Sequence, residues 1–331
     1  MPGTCQGGAR HVPGTVGVDR HDSTISGAGD APSKFDTQAA DFAITFAGEQ
    51  AAYRDLSTFV LPGATISIQA VEGPPGDYTI GAKAGDVTTR AARSWQWRAP
   101  SSPGAYEIRI DGPSTKTEGD VITLHAFVMV PATQVHNGLL NGYAIGEYPA
   151  KPLKGNPIYN RPAGFIEVTK DNEDTKLSPH FRLKQLLCKE DTTKRYPKYV
   201  VLKERLLLKL EAVLERVNAL GYHVDTLHVM SGYRTPYYNH AIGDVLYSMH
   251  QWGSAADIFI DKNDKGVMDD LNRDGKVDVQ DSRLLYDAIE TMLAEPAYAK
   301  FEGGMGWYPG TSAHPPFVHV DVRGVKARWR G

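Results

Sequence analysis

Between residues 39 and 131 apolar and polar positions alternate in short runs. Phe59-Val-Leu, Thr65-Ile-Ser-Ile-Gln, Tyr106-Glu-Ile-Arg-Ile and the longer run over 121–130 read as strands. Turn clusters at Leu61-Pro-Gly, Gly73-Pro-Pro-Gly and Ser101-Ser-Pro-Gly separate them. Strands of this length and spacing, without a helical period between them, predict a small β-sandwich of immunoglobulin-like type, with Trp95 and Trp97 in packing roles. Residues 132–175 are rich in Pro and Gly and read as a linker. Beyond them the period changes. Over 200–220 apolar residues recur at helical spacing and Gly221 follows as a stop, which predicts one amphipathic helix. Residues 1–38 carry Gly, Ser and Pro but almost no large apolar side chain, which predicts disorder. They also lack a basic stretch followed by an apolar one, so no signal peptide is read there.

Composition narrows the classes. The chain has 331 residues, enough for about two domains. A net charge of −3 gives no electrostatic footprint for nucleic acid. No run of 18 apolar residues is present, so no transmembrane segment is expected. The 2 cysteines support neither a disulfide framework nor a cysteine zinc cluster.

The chemistry-bearing residues lie in three segments. These are Ser231-Gly-Tyr-Arg-Thr-Pro-Tyr-Tyr-Asn239, Ser248-Met-His-Gln-Trp-Gly-Ser-Ala-Ala-Asp257, and Gly303-Gly-Met-Gly-Trp-Tyr-Pro with Pro316-Phe-Val-His319-Val-Asp321. His250 and Asp257 offer one imidazole and one carboxylate, with small residues between them that let the backbone turn closely. In the strand-like run from Phe317, the valines at 318, 320 and 322 take one face, and Phe317, His319 and Asp321 take the other. Two His and one Asp form a three-ligand zinc set that leaves a fourth position for water, the open arrangement of catalytic zinc.

Taken in order, these segments resemble the D-Ala-D-Ala metallopeptidase family, and within it the murein endopeptidase branch related to the zinc fold of hedgehog signalling domains. The resemblance covers about 177–329. It implies an α+β domain over 176–331 with an antiparallel sheet, zinc on His250, Asp257 and His319, and hydrolysis of peptide bonds in peptidoglycan stem peptides. It also gives Arg234 the role of stabilising the developing oxyanion, and Ser248 a place near the substrate terminus. Tyr233, Trp307 and Tyr308 are candidates either for lining the groove or for packing. Several relatives place a Glu three residues before the last zinc histidine, where this chain has Pro316. Two candidates for handling the proton are left: Asp321, which shares a face with His319, and His314, where some relatives carry an extra histidine.

A further pattern lies between the second and third ligands. Asp270, Asn272, Asp274, Asp278 and Asp281 fall at loop positions 1, 3, 5, 9 and 12, with Gly275 at 6 and the Lys276 carbonyl at 7. This is EF-hand calcium spacing over 270–281, and it resembles dockerin-type loops. The preceding 261–269 run reads as a degraded copy, with Lys265 at an oxygen position, and no second ion is expected from it. The chain is thus expected to be multidomain: a β-sandwich, then a zinc peptidase domain with structural calcium, acting on peptidoglycan peptide in the periplasm or outside the cell. Two other readings stay open, a zinc-stabilised cell-wall binding domain without activity and a D,D-carboxypeptidase that trims stem termini.

Overall fold

Strand β8 (Gly104–Gly112) shows how the N-terminal half is built. Ile108 and Ile110 turn inward and are fully buried, while Glu107, Arg109 and Asp111 alternate outward, the period of a half-buried strand. The structure, a computed structural model, describes residues 35–113, 120–190 and 195–331. Most of the segment expected to be disordered, up to residue 34, lies outside them. Within the described residues, β1 (Ala39–Phe46), β2 (Glu49–Tyr53), β4 (Thr65–Ala70), β6 (Asp86–Ala91) and β7 (Ser94–Arg98) form an antiparallel sheet in the order β2-β1-β4-β7-β6. A second sheet, β3-β9-β8-β5, contains β3 (Asp55–Val60), β5 (Thr79–Ala82), β8 and β9 (Asp120–Val128), with β3 parallel to β9. Trp95 and Trp97 are buried with Phe42, Ile44 and Ile68.

Residues 132–175, expected to be a linker, are instead packed. β10 (Val130–Pro131) and β13 (Gly164–Val168) join β16 (Lys198–Val200) in a small antiparallel sheet, and short hairpins form from β11 (Leu139–Leu140) with β12 (Tyr143–Ala144) and β14 (Lys176–Ser178) with β15 (Phe181–Arg182). The reason is aromatic content that the Pro and Gly count hides. Tyr148 and Tyr159 pack edge-on against Trp252, and the Tyr148 hydroxyl donates to the Gln251 carbonyl at 2.8 Å.

Helix α1 (Glu204–Ala219) starts four residues later than its periodic pattern, because Val200 is already committed to β16. It is buried over nearly its whole circumference, as a helix covered on more than one side must be. Toward the N-terminal sheets, the Glu204 carboxylate accepts from Thr58 Oγ1 at 3.1 Å and Phe59 N at 3.2 Å, and Tyr53 donates to Glu215 at 2.7 Å. Toward the C-terminal sheet, the fully buried Lys209 Nζ donates to the carbonyls of Phe301 at 3.0 Å and Asp321 at 2.8 Å. Burial pushes that ammonium down to about 8, because no solvent stabilises its charge. Phe35–Gly331 accordingly forms a single unit.

The C-terminal sheet has the order β17-β18-β20-β19-β21. Its strands are β17 (His228–Ser231), β18 (Ala255–Phe259), β19 (Gly304–Tyr308), β20 (Phe317–Asp321) and β21 (Ala327–Arg330). All neighbours are antiparallel except β19 and β21. Short helix α2 (Pro236–Ala241) follows β17, and α3 (Val279–Leu293) packs on β19 and β20.

Candidate metal centre

One row of residues across the C-terminal sheet defines the centre. Register places Ser231 opposite Asp257, Asp257 opposite His319, His319 opposite Gly306, and Gly306 beside Trp329. Cross-strand partners present their side chains on the same face, so Asp257 and His319 meet although 62 residues separate them. His250 reaches the same point from a single 3-10 turn, Met249–Trp252, just before β18. That turn closes on Gly253 at φ 61, and a Cβ there would lie 2.0 Å from the Val201 carbonyl oxygen, so only glycine fits.

Three ligand atoms converge. His250 Nε2 lies 3.2 Å from Asp257 Oδ1 and 3.2 Å from His319 Nδ1, and His319 Nδ1 lies 2.9 Å from Asp257 Oδ1. The outer ring nitrogens set the tautomers. His250 Nδ1 donates to the Gly232 carbonyl at 2.7 Å, and His319 Nε2 donates to Asp321 Oδ2 at 3.3 Å. Both inner nitrogens therefore present lone pairs, toward a carboxylate oxygen that carries more. Such a set is electron-rich and calls for a cation. Donors about 2.1 Å from a tetrahedral ion stand roughly 3.4 Å apart, so these spacings suit zinc after a small outward shift. Without an ion, the electrostatics of the two imidazoles differ. Burial holds His250 below its ordinary value, in the neutral form that binds metals. Burial also opposes charge on His319, but the carboxylates of Asp257 and Asp321 outweigh it and raise its pKa. Burial alone would raise Asp257, yet the two imidazoles hold it well below the carboxylate range.

Arg234 sits beside this set. Its Nη2 donates to Asp257 Oδ2 at 2.5 Å, Nη1 to Asp244 Oδ2 at 2.7 Å and Nε to Ser231 Oγ at 2.8 Å. Thr235 fixes the turn that delivers it, capping α2 by accepting from Tyr238 N, with Pro236 at the first helical position. Asp321 lies on the outer side of the His319 ring. It accepts from Gly304 N at 2.7 Å and is gripped through two nitrogens by the Arg323 guanidinium. Its carboxylate thus orients the imidazole and faces away from the three converging atoms.

The other expected residues divide. Tyr308 shares the face of Phe317 and His319 and stacks on Phe317 at 4.4 Å. His314 packs edge-on against Phe317 at 5.1 Å, and its Nδ1 lies 3.0 Å from the Pro315 carbonyl. Ser248 is buried at the start of the turn that carries His250 and makes no side-chain cap bond. Tyr233 does not line a groove: it is fully buried, with its hydroxyl 3.0 Å from that of Tyr148. Trp307 is on the wrong face. It pairs with Val318, not His319, and packs on Tyr286 and Arg283 of α3. Alternation excludes it, since adjacent residues 307 and 308 cannot share a strand face. Three residues of the centre were not anticipated. Asp244 and Arg323 are surface-type charges without a spacing signal. Trp329 lies 5.2 Å from the His319 ring and donates to the Tyr308 hydroxyl at 2.6 Å. A Cβ on Gly306 would strike its indole at 2.2 Å.

In the 270–281 loop, side-chain oxygens turn to backbone amides. Asp270 accepts from Asp274 N at 3.2 Å and Gly275 N at 2.8 Å, Asn272 from Asp274 N and Asp274 from Lys276 N. Asp278 caps α3, and the fully buried Asp281 accepts from Leu271 N at 2.7 Å and Asp278 N at 2.8 Å. Among the described residues, groups of three His, Cys, Asp or Glu close enough to share a metal are His250, Asp257, His319 and His228, Asp261, Asp264; the calcium set is not one of them. No helix among the described residues is long and apolar enough to cross a membrane.

A search of curated proteins finds no match to the chain. Residues 179–283 match the family model described as Peptidase M15, a span that holds Arg234, His250 and Asp257 and ends before His319. The match lies in the C-terminal half of the chain, and residues 179–283 are thus similar to a D-Ala-D-Ala metallopeptidase-type family, Peptidase M15.

Proposed function

We propose that the chain is a zinc-dependent peptidase that hydrolyses peptide bonds in peptidoglycan stem peptides or crosslinks. The observation that carries this reading is the meeting of His250 Nε2, His319 Nδ1 and Asp257 Oδ1 with both imidazole lone pairs turned inward. His250, Asp257 and His319 would hold a zinc ion, which would supply a water nucleophile activated at neutral pH. Arg234 acts on the developing oxyanion. Of the five N–H groups of a guanidinium, three are committed to Ser231, Asp244 and Asp257, which leaves two for the substrate oxygen. Asp321 positions His319, and His314 handles the proton. Tyr308 and Trp329 wall the cleft, and Ser248 stands near the substrate terminus.

Incubating the purified chain with murein and weighing the released fragments tests the proposal. In a muramidase digest, conversion of two-stem fragments to single-stem ones points to crosslink cleavage, and release of single terminal residues to a carboxypeptidase. Unchanged murein, with zinc still bound, favours the second reading, a zinc-stabilised cell-wall binding domain. The observation behind that alternative is Pro316 at the position where relatives have Glu. Arg234→Ala is expected to lower kcat by about 10²- to 10³-fold. An unchanged kcat removes Arg234 from the mechanism.

Three further parts belong to the proposal. The substrate places the protein in the periplasm or outside the cell. The two sheets over 39–131 form a β-sandwich that positions the peptidase unit or binds wall. Calcium pins the 270–281 loop, whose amide-bound carboxylates already hold an EF-hand-like turn. Asp270→Ala with Asp274→Ala should lower the melting temperature and abolish any upward shift caused by millimolar calcium. A wild-type melting temperature that calcium leaves unmoved removes the ion from the proposal.

A further inference from the structure

At the end of the C-terminal sheet away from α2, a second set of ligating side chains gathers. His228 opens β17, pairs with Phe259 of β18 and stacks on its ring at 4.4 Å. Its Nδ1 lies 3.8 Å from Asp261 Oδ2 and 4.0 Å from Asp264 Oδ1. Nδ1 and one oxygen of each carboxylate all fall within 4.8 Å of one another. Asp261 is the rigid member. Its side chain is 1% exposed, and its two oxygens accept from Lys265 N at 3.0 Å and Gly266 N at 2.6 Å. One such bond per oxygen leaves each oxygen a free lone pair. Asp264 is the exposed member, with a side chain 99% exposed at φ 50 in the turn, so other rotamers are open to it. The three line a cleft of about 570 Å³ that opens to solvent.

We propose that His228, Asp261 and Asp264 form a second divalent-metal site, for a zinc-like ion that accepts mixed imidazole and carboxylate ligands. The ligand chemistry argues for that class. An imidazole nitrogen suits zinc, copper or nickel, whereas calcium prefers an all-oxygen set. Charge alone does not define the site, because Arg182, Lys184, Lys189 and Lys262 line the same cleft. Coordination geometry does. Donor pairs about 3.4 Å apart are needed for a tetrahedral ion, so the three donors must draw together, with the exposed Asp264 side chain making the larger movement. The site joins the start of β17 to the loop leaving β18. It therefore ties together the far ends of the two strands that carry Ser231 and Asp257.

Isothermal titration of the chelator-stripped full-length chain with Zn²⁺, in excess Ca²⁺, should show two equivalents. His228→Gln, and separately the exposed Asp264→Asn, should each remove one equivalent or weaken it at least about tenfold. His250→Ala should remove the other. Asp264→Asn guards against a folding artefact, since its side chain packs against nothing. Two equivalents of unchanged affinity in both the His228 and Asp264 variants overturn the inference. So does one wild-type equivalent that only His250→Ala abolishes, and that result leaves the proposed function standing. One equivalent lost in the His228 and Asp264 variants but kept in His250→Ala sustains the inference and overturns the catalytic zinc.

Discussion

His250→Ala should reduce murein cleavage by roughly 10³-fold or more and remove the zinc bound at the sheet centre. The imidazole is fully enclosed and is the only one of the three donors delivered from outside the sheet, so no neighbouring side chain can replace it. Its loss leaves His319 and Asp257 as two donors where a catalytic zinc needs three. The backbone should tolerate the change, because the Gly253 N–H donates to the His250 carbonyl regardless of side chain. Fragment analysis of digested murein, metal content and circular dichroism together decide the matter. Full cleavage by a folded, zinc-free variant would refute the metal centre.

Asp321→Ala should cost about 3–5 kcal/mol of stability and weaken zinc at the centre by about 10- to 100-fold. The carboxylate is completely buried and serves the His319 ring, the Gly304 amide and the Arg323 guanidinium together. Removing it strands a largely enclosed arginine and frees the imidazole to rotate. The pH dependence has a definite sign. Burial alone would raise this carboxyl, but His319 and Arg323 hold it far below its ordinary value of 3.8. A carboxyl lowered on folding stabilises fully above that ordinary value and loses its contribution as pH falls below it. The stability gap between wild type and Asp321→Ala, read from urea unfolding of metal-free protein, should be full above about pH 4 and narrow in acid. A gap that widens toward acid would place the stabilising charge elsewhere.

Part of the centre was readable before any fold. The spacing from His250 to Asp257, and the alternation that puts His319 and Asp321 on one strand face, depend only on local geometry. The helix over 204–219 and the turns between β-strands were readable for the same reason, since backbone periodicity is written residue by residue. Trp307 was also decidable, because alternation with Tyr308 forces one of the two off the face of His319. The packing of residues 132–175 was not. Pro and Gly suggest a connection, whereas tertiary partners such as Trp252, Phe165 and Tyr247 bury Tyr148 and Tyr159.

By itself, then, the sequence determined which residue types could hold a metal and on which strand faces they stand. Tertiary structure alone decided that Asp257 pairs with His319, that Arg234 bridges Asp257 and Asp244, that Asp321 stands behind the imidazole, and that His228 meets Asp261 across two strands. The physical reason is register. Strand periodicity fixes a face but not a neighbour, and the neighbour is set by burying both sides of the sheet at once, a property of no single segment.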